Sequence, residues 1–160
     1  MTYHLINEFQ EIIGFEIKDN FVVRVDFNPL KKENDIPTEF SEIVKKDLSD
    51  FLSRKTTTLD FPTRLQMTSF QNKVIHALRL IPYGKTVSYQ DIANLVGKPN
   101  AARAVGNACA NNPIPIYYPC HRVIKKNGDL GGFSGGEGIK KWLLSLENSI
   151  QICETLTQKE

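Results

Sequence analysis

A cysteine and a histidine are adjacent at Cys120-His121, within the run 119–123 (Pro-Cys-His-Arg-Val). A cysteine attacks as the thiolate, so a nucleophilic cysteine needs a nearby base or a positive potential. Neighbouring side chains of an extended segment point to opposite faces, so a bridging water or a sharp local turn would have to link these two groups. Glu147 is a candidate to orient the imidazole. The dipeptide alone leaves two interpretations open, a nucleophile or a small buried side chain.

A second segment with unusual chemistry is the predicted helix 101–111, which consists mainly of small residues and has Arg103 as its single charged side chain. Gly106 in its interior costs about 1 kcal/mol relative to alanine, which indicates a close approach at that point. The helix either packs against a neighbour through its small face or enters a DNA groove with Arg103 extended. A base-reading helix would carry more Arg, Asn, Gln and Lys, so sequence-specific readout is not favoured.

One further helix is predicted directly before this one. Ser88 is expected to cap a helix over 89–96, and Gly97 suits the left-handed residue that ends a helix. Asn100 is expected to cap the helix 101–111. Two short helices joined by a few residues that include glycine are typical of a helix-turn-helix.

The other elements around the cysteine have clear boundaries. Thr68 and Gln71 match a capping box, and the helix that they open is ended by Pro82. The segment 113–119 contains three prolines and is predicted to be extended, since proline disfavours helix in the residue before it. A last helix is predicted over 139–147.

The first part of the chain predicts a hairpin and a helix. Apolar β-like runs at 12–17 and 21–27 are joined by Asp-Asn turn chemistry at 19–20. Apolar residues then recur at i, i+3 and i+4 over 38–54, which indicates an amphipathic helix with Thr38 as its N-cap.

The predicted fold class is therefore α+β, in two domains. The N-terminal domain, 1–62, is a small α/β unit with an antiparallel hairpin or sheet and a helix. The C-terminal domain, 63–160, is mostly helical and winged-helix-like, and it contains the helix-turn-helix. Residues 56–66 have no clear period and are predicted to connect the two domains.

Composition excludes several classes of protein. No apolar run approaches the roughly 20 residues of a membrane span, and the N-terminus lacks the features of a signal peptide, so no membrane association and a cytoplasmic location are expected. The three cysteines, Cys109, Cys120 and Cys153, do not form a disulfide pattern. Histidines and cysteines lack zinc spacing, so no metal site is predicted.

Charge is unevenly distributed along the chain. Residues 1–70 contain nine Lys/Arg and twelve Asp/Glu, whereas residues 71–147 contain ten and four, a net charge of +6. A basic C-terminal half is typical of a phosphate-binding surface.

Several motifs together resemble one known family. The run 112–124, Asn-Pro-Ile-Pro-Ile-Tyr-Tyr-Pro-Cys-His-Arg-Val-Ile, resembles the active-site signature of the O6-alkylguanine-DNA alkyltransferases. Further runs that match in order and spacing are Phe70-Gln71, 81–84, 86–90, 101–106, 131–136 and 141–144 with Glu147. The resemblance covers roughly residues 68–147, whereas the first 60 residues match only in their general pattern of strands and helix.

The resemblance implies a role for each matching residue. Cys120 would accept the alkyl group, His121 would act as its base through a water, and Glu147 would orient His121. The implied set also contains Asn112 at the active-site turn, Tyr89 as proton donor to the leaving guanine, Arg103 as the finger that replaces the flipped nucleotide, Ala102, Gly106, Tyr89 and Ser88 at the DNA, and Gly131, Phe133 and Ser134 in the pocket wall.

The implied reaction is DNA repair by direct reversal, in which the alkyl group of O6-alkylguanine, and also of O4-alkylthymine, moves to Cys120 once per molecule. The implied partner is double-stranded DNA, bound by a monomer in the minor groove with little sequence specificity, and the lesion is reached by base flipping. No cofactor is implied.

Three positions and one missing metal site depart from the family's pattern. Phe133 stands where some relatives have tyrosine, His76 where tryptophan is common, and Cys109 where a larger apolar residue is frequent; the N-terminal half also lacks the cysteines of a zinc site. The alternatives are a non-catalytic binder of alkylated DNA, as in the alkyltransferase-like proteins, a helix-turn-helix regulator, and a cysteine hydrolase. The presence of Cys120 disfavours a non-catalytic binder. The third helix has too few base-reading side chains for a regulator, and the lack of an oxyanion-hole motif disfavours a hydrolase.

Overall fold

The structure is a computed structural model that describes residues 1–30 and 36–148. It is a mixed α+β fold, as predicted, and its contacts define two compact units that divide between Gln66 and Met67. The domain bounds inferred from the sequence, 1–62 and 63–160, stay a prediction. None of the helices in the described ranges has the length and hydropathy of a membrane span.

The first unit is built on a three-stranded antiparallel sheet in the order β1-β2-β3, with β1 at Thr2–Ile6, β2 at Ile13–Lys18 and β3 at Phe21–Phe27. The predicted hairpin corresponds to β2 and β3. Its turn residues, Asp19 and Asn20, both have positive φ (52° and 62°), which suits a two-residue hairpin loop.

Strand β1 was not predicted, because a buried histidine interrupts its apolar pattern. His4 is 0% exposed and stacks on Phe15 of β2, with 4.9 Å between ring centroids. A polar residue at a core position hides the alternation on which a strand prediction relies.

Helix α1 covers Glu39–Leu52, close to the predicted helix, and Thr38 caps it in a capping box with Ser41. Part of the segment predicted as an interdomain connection belongs to the sheet instead. The Val22 amide donates to the Pro62 carbonyl (2.9 Å) and the Arg64 amide donates to the Val22 carbonyl (3.1 Å). The free edge of β3 supplies these partners, which no local pattern in residues 56–66 reports.

The second unit contains α2 (Ser69–Leu78), α3 (Tyr89–Leu95), α4 (Ala102–Ala110) and α5 (Glu137–Leu146). A two-stranded parallel sheet joins β4 (Val87–Ser88), which leads into α3, to β5 (Val123–Ile124), which follows the cysteine. The core between these elements consists of fully buried aliphatic side chains, among them Val74, Ile75, Leu78, Ile92, Val105 and Leu143.

The predicted N-terminal boundaries of α2 and α3 are confirmed, whereas α2 ends at Leu78, before the predicted stop at Pro82. The Thr68 side chain accepts from the Gln71 amide, while the Gln71 side chain accepts from the Thr68 amide. Ser88 caps α3 in the same way with Asp91. Gly97, just after α3, has a φ of 77°.

The predicted N-cap of α4 is wrong. The helix begins at Ala102, its N-cap is Ala101, and no side chain caps it. The Ala101 amide donates to the Lys98 carbonyl at 2.9 Å, which closes a turn over 98–101 and places Asn100 inside that turn.

Candidate active site

The segment that leads to the cysteine is not extended, so the prediction for 113–119 is wrong. The Tyr118 amide donates to the Ile114 carbonyl (3.1 Å), and Ile116 has a φ of 73°, a conformation that β-branched residues rarely adopt. Pro115 prevents helix at Ile114, but proline also fits the second position of a tight turn. The chain therefore folds back on itself directly before Cys120.

Asn112 holds this turn through its side chain. Its Nδ2 donates to the Tyr118 carbonyl at 2.8 Å, and its Oδ1 accepts from the Ile114 amide at 3.0 Å. The amide group also acts to lower the pKa of the Cys120 thiol. One buried side chain thus connects both ends of the turn to the sulfur.

Cys120 begins a short 3-10 helix, Cys120–Arg122, and is only 2% exposed. Burial raises its pKa, while the hydrogen bond from Asn112 and the positive charge of Lys140 oppose that shift, and the resulting pKa is about 11. At neutral pH the group is therefore a thiol in the free protein, and a base must remove its proton for attack.

His121 and Glu147 form a buried hydrogen bond, with 2.6 Å between Nε2 and Oε2 and both side chains 0% exposed. An ionised carboxylate can only accept, so the proton lies on Nε2 and the lone pair lies on Nδ1. Nδ1 is buried without a hydrogen-bond partner among the described protein groups. Burial lowers the pKa of His121, opposed by Glu147, so the imidazole is neutral and able to accept a proton at Nδ1.

Arg122 was not among the residues predicted for the site, yet it binds the same carboxylate. Its Nε lies 2.8 Å from Oε1 of Glu147, its Nη2 lies 3.0 Å from Oε2, and its Nη1 donates to the Ile81 carbonyl. Burial would raise the pKa of Glu147, but the hydrogen bond from His121 and the hydrogen bonds and charge of Arg122 outweigh it and lower the pKa to about 2. Glu147 is therefore ionised.

Lys140 is a second residue that the sequence analysis missed. It is 0% exposed, and its Nζ donates to the carbonyls of Val123, Leu130 and Gly132. Burial lowers its pKa to about 8, against the attraction of the Cys120 and Cys109 sulfurs. A signal was present in the sequence, because a lysine at 140 shares the helical face of the apolar positions 143 and 144.

Tyr89 starts α3 and lies against two glycines. A Cβ added at Gly131 would be 2.4 Å from the Tyr89 hydroxyl, whereas one added at Gly106 would be 3.8 Å from the ring. Burial raises the pKa of Tyr89 to about 12, with smaller contributions from Cys109 and Cys120, and Lys140 Nζ lies 5.8 Å from the ring centroid. The phenol is therefore protonated near the sulfur.

Cys109, the departure on α4, is buried (3% exposed), and its pKa is raised by burial and by Cys120. It faces the interior near Tyr89 rather than the exposed side of α4. Cys153 lies outside the described residues.

The predicted DNA-contacting residues lie on α4 and at the start of α3. Arg103 is exposed, while Ala102 and Gly106 are half-buried on the same helix. Ser88 is half-buried, and its hydroxyl caps α3. The described contacts do not bring Arg103 together with Cys120.

The predicted pocket residues lie in the loop between β5 and α5. Gly131 has a φ of 73° and contacts Tyr89, Phe133 is half-buried, and Ser134 is exposed. The Gly136 amide donates to the Phe133 carbonyl at 2.9 Å, which closes a turn around Ser134.

The unit thus contains a buried thiol, a neutral imidazole with an available lone pair, an ionised carboxylate and a protonated phenol. In the described part of the chain, no group of three or more His, Cys, Asp or Glu side chains could hold a metal ion. The fold and the site define a protein with two short helices joined by a turn and with a buried cysteine next in sequence to a hydrogen-bonded His-Glu pair.

Comparison with known proteins narrows this class. Residues 69–149 match the model for the DNA-binding domain of 6-O-methylguanine DNA methyltransferase. The chain is 40% identical over 131 residues to the methylated-DNA–protein-cysteine methyltransferase of Methanosarcina acetivorans, a match that covers 78% of this chain and 84% of that protein. The chain belongs to the 6-O-methylguanine DNA methyltransferase family.

Comparison with solved structures points to the same family. The O6-methylguanine methyltransferase of Mycobacterium tuberculosis superposes with a TM-score of 0.82 at 36% identity, covering 93% of this chain and 94% of that one. A Mycobacterium tuberculosis OGT structure in complex with DNA gives a TM-score of 0.79 at 33% identity, covering 92% and 93%. By contrast, the match to the bifunctional transcriptional activator/DNA repair enzyme Ada of Escherichia coli, 48% identical over 96 residues, covers 60% of this chain and spans only 27% of Ada.

Proposed function

We propose that this chain repairs DNA by direct reversal, moving the alkyl group of O6-alkylguanine onto Cys120 in one irreversible transfer. The observation that carries the proposal is the 2.6 Å hydrogen bond between His121 and Glu147 beside the buried thiol, in a unit that also contains a helix-turn-helix. Family membership supports the same reaction, since the relative from Methanosarcina acetivorans is named a methylated-DNA–protein-cysteine methyltransferase.

The first step is removal of the thiol proton. The pKa of Cys120 is about 11, so the thiolate is scarce at neutral pH. His121 accepts the proton at Nδ1 through a bridging water, since the Nε2 proton is already donated to Glu147. The ionised Glu147 stabilises the imidazolium that forms, and Lys140 and Asn112 stabilise the thiolate.

The second step is in-line attack of the sulfur on the alkyl carbon. A C–S bond forms, the C–O6 bond breaks, and the electron pair leaves with the guanine. Tyr89 donates its phenolic proton to the guanine ring as negative charge develops, because its pKa of about 12 keeps it protonated until then. Water does not hydrolyse the unactivated thioether, so each molecule acts once.

The partner is double-stranded DNA, and the helix-turn-helix binds it in the minor groove. The exposed side chain of Arg103 on the narrow helix α4 fills the stack after the damaged nucleotide flips out. Gly106 is explained by the DNA, since the protein itself would accept a Cβ there: its nearest neighbours are Tyr89 ring atoms at 3.8 Å. Low sequence specificity follows from the few polar side chains on α4.

The flipped base lies in a pocket with Gly131, Phe133 and Ser134 in its wall, next to Tyr89. The close contact of Gly131 with the Tyr89 hydroxyl supports this assignment. O4-alkylthymine is a second substrate of the same transfer to Cys120. The monomeric state, the cytoplasmic location and the two-domain bounds stay predictions.

The test measures the mass of the intact protein after incubation with a duplex that contains one O6-methylguanine. The protein should gain about 14 Da, the mass of a CH2 group, on the peptide that contains Cys120, and the gain should be absent from Cys120→Ser. Cys109→Ser serves as the matched control and should still gain the mass.

Two results would contradict the proposal. A protein that binds the alkylated duplex without any mass increase would be a binder of damaged DNA. A mass increase that persists in Cys120→Ser and is lost in Cys109→Ser would place the acceptor on the other buried cysteine.

A further inference from the structure

The end of α2 contacts the turn that precedes Cys120. Arg79 directly follows α2, and its Nη1 donates to the carbonyl of Tyr117, 38 positions further along the chain, at 3.1 Å. The guanidinium carbon also lies 4.0 Å from the centroid of the Tyr117 ring. One side chain at the end of α2 thus binds both the backbone and the ring of a residue shortly before the cysteine.

His76, in the last turn of α2, contacts the next residue of the same turn. Its ring meets the Tyr118 ring edge-on, with 5.5 Å between centroids and 65° between planes. Nδ1 of His76 lies 2.8 Å from the Asn72 carbonyl, which can only accept, so Nδ1 carries a proton and the ring orientation is fixed. The rings of Tyr117 and Tyr118 lie edge to face, 4.9 Å apart. The end of α2 therefore packs against two consecutive residues from outside the turn.

These contacts reach a part of the turn that the Asn112 side chain does not bind. Asn112 is hydrogen-bonded to the two ends of the turn, whereas the Tyr117 carbonyl between them accepts from Arg79. Ile116 in the same stretch has a φ of 73°, a conformation that persists only where the surrounding contacts hold it. Arg79 is therefore a second restraint on a strained turn.

A movement of this turn would reach the sulfur over a short path. The Cys120 amide donates to the Tyr118 carbonyl at 2.7 Å, and that carbonyl also accepts from the Asn112 side chain. Asn112 in turn lowers the pKa of the Cys120 thiol. A turn that loosens at Tyr117 would therefore shift the sulfur relative to Asn112.

We propose that Arg79 is a positioning residue for the alkyl acceptor, holding Tyr117 so that the turn keeps the Cys120 sulfur in its reactive place. The proposal rests on the proposed function only in taking Cys120 as the acceptor. A guanidinium suits this task because its N–H groups donate in its plane while its face covers an aromatic ring. Arg79 is exposed, so its replacement leaves the buried core of the unit intact.

The experiment measures single-turnover transfer from free O6-benzylguanine, because that reaction needs no duplex. Arg79→Met removes both contacts and should lower the maximal rate constant by about 10- to 100-fold, as expected when a reacting atom is slightly misplaced. The concentration at half-saturation should stay unchanged, since Arg79 is not one of the proposed pocket residues. Arg79→Lys keeps a charge over the ring and should recover part of the rate. Lys73→Met removes an exposed charge from the same helix and is the matched control, which should react at the unchanged rate.

Two further measurements separate positioning from a loss of folded protein. A variant that is merely destabilised would contain fewer reactive molecules, but those that stay folded would react with the unchanged rate constant. In Arg79→Met, by contrast, the whole population should react, only more slowly. Alkylation of Cys120 by iodoacetamide at pH 8, in a Cys109→Ser/Cys153→Ser background, should also slow by up to about tenfold, because less thiolate is present once Asn112 no longer supports it.

Three results would overturn the proposal. Arg79→Met and Lys73→Met could react with equal rate constants, or Arg79→Met could melt at a lower temperature and still react with the unchanged rate constant. A raised half-saturating concentration at an unchanged maximal rate would place the effect of Arg79 on substrate binding instead. If the unchanged protein forms no adduct with O6-benzylguanine, the proposed function fails, and the iodoacetamide rates by themselves decide whether Arg79 positions the sulfur.

Discussion

The Nε2 of His121 lies 2.6 Å from the Oε2 of Glu147, and the same carboxylate binds the side chain of Arg122. Glu147 is therefore shared by the two residues that follow the cysteine. Its bond to His121 fixes the tautomer of the base, and the bonds from His121 and Arg122 together keep the carboxylate ionised. These two functions can be separated by mutation.

We expect His121→Gln to slow transfer from free O6-benzylguanine by about 10²- to 10⁴-fold with a small loss of stability, because the base is removed while the Arg122–Glu147 pair remains. Glu147→Gln should slow the reaction and also lower the free energy of unfolding by about 3–5 kcal/mol, since Arg122 is left as an unpaired buried charge. Single-turnover rates and urea unfolding measure the two effects. Equal stability losses in both variants would contradict this division.

Glu147 also predicts how stability depends on pH. Its pKa is about 2 in the folded protein and 4.5 in its ordinary state, so the contribution to stability is complete above pH 4.5 and is lost as the pH falls towards 2. The difference in unfolding free energy between the unchanged protein and Glu147→Gln should therefore shrink by about 2 kcal/mol between pH 6 and pH 3. Urea unfolding at both values checks this. A difference that stays constant would show that the carboxylate titrates normally.

Lys140 is expected to hold the pKa of Cys120 down. Lys140→Met should raise that pKa further above about 11 and slow transfer at pH 8 by about tenfold, because one pKa unit corresponds to a tenfold change in thiolate. Thiolate absorbance in a Cys109→Ser/Cys153→Ser background reports the pKa of Cys120, the single cysteine that remains. Lys140→Arg keeps the charge and should restore most of the rate; an unchanged thiol pKa in Lys140→Met would exclude the electrostatic role.

Gly131 and Gly132 offer a matched pair of substitutions. A Cβ at Gly131 would lie 2.4 Å from the Tyr89 hydroxyl at a φ of 73°, whereas nothing lies within 4 Å of one at Gly132. Gly131→Ala should therefore displace the tyrosine, cost about 1–3 kcal/mol of stability and slow transfer from both duplex and free base. Gly132→Ala should behave like the unchanged protein in thermal unfolding and in both rate assays. If Gly131→Ala and Gly132→Ala transferred the alkyl group at the same rates, the contact with Tyr89 would be ruled out as the cause of slower transfer.

Gly106→Ala should stabilise the protein and still impair repair. The helix gains up to about 1 kcal/mol because alanine is the better helix former, and the 3.8 Å neighbours of the new Cβ tolerate it. In the proposed binding mode α4 lies against the duplex, so the added methyl group should slow transfer from O6-methylguanine in DNA and leave transfer from free O6-benzylguanine unchanged. Arg103→Ala should show the same split without the gain in melting temperature. If Gly106→Ala repaired duplex DNA at the unchanged rate, DNA binding would not explain why this position is glycine.

Much of this molecule follows from local patterns in the sequence. The capping boxes at Thr68 and Ser88, the left-handed Gly97 and the hairpin turn at 19–20 were predictable because each depends on residues within a few positions of one another. The order of motifs from 68 to 147 likewise indicated the family before any coordinates were considered. The two prolines around Ile114 were predictive only in part, since they exclude helix without choosing between a strand and a turn.

Other features depend on partners that are distant in the chain. Strand β1 is hidden by His4, whose burial depends on stacking against Phe15, and residues 62–64 join the sheet only because β3 has a free edge. Neither Phe15 nor that edge can be inferred from the residues next to the segment that it stabilises.

The features of the functional site also fall into those that the sequence determines and those that depend on the tertiary structure. The sequence by itself determined which groups could react, Cys120 and His121, because their chemistry belongs to the side chains. Only the tertiary structure decided that Arg122 shares the carboxylate of Glu147 and that Lys140 is buried near the sulfur. Burial and charge at a distance set the pKa values, and both depend on residues such as Arg122 and Glu147, 25 positions apart, that approach each other only when the unit folds.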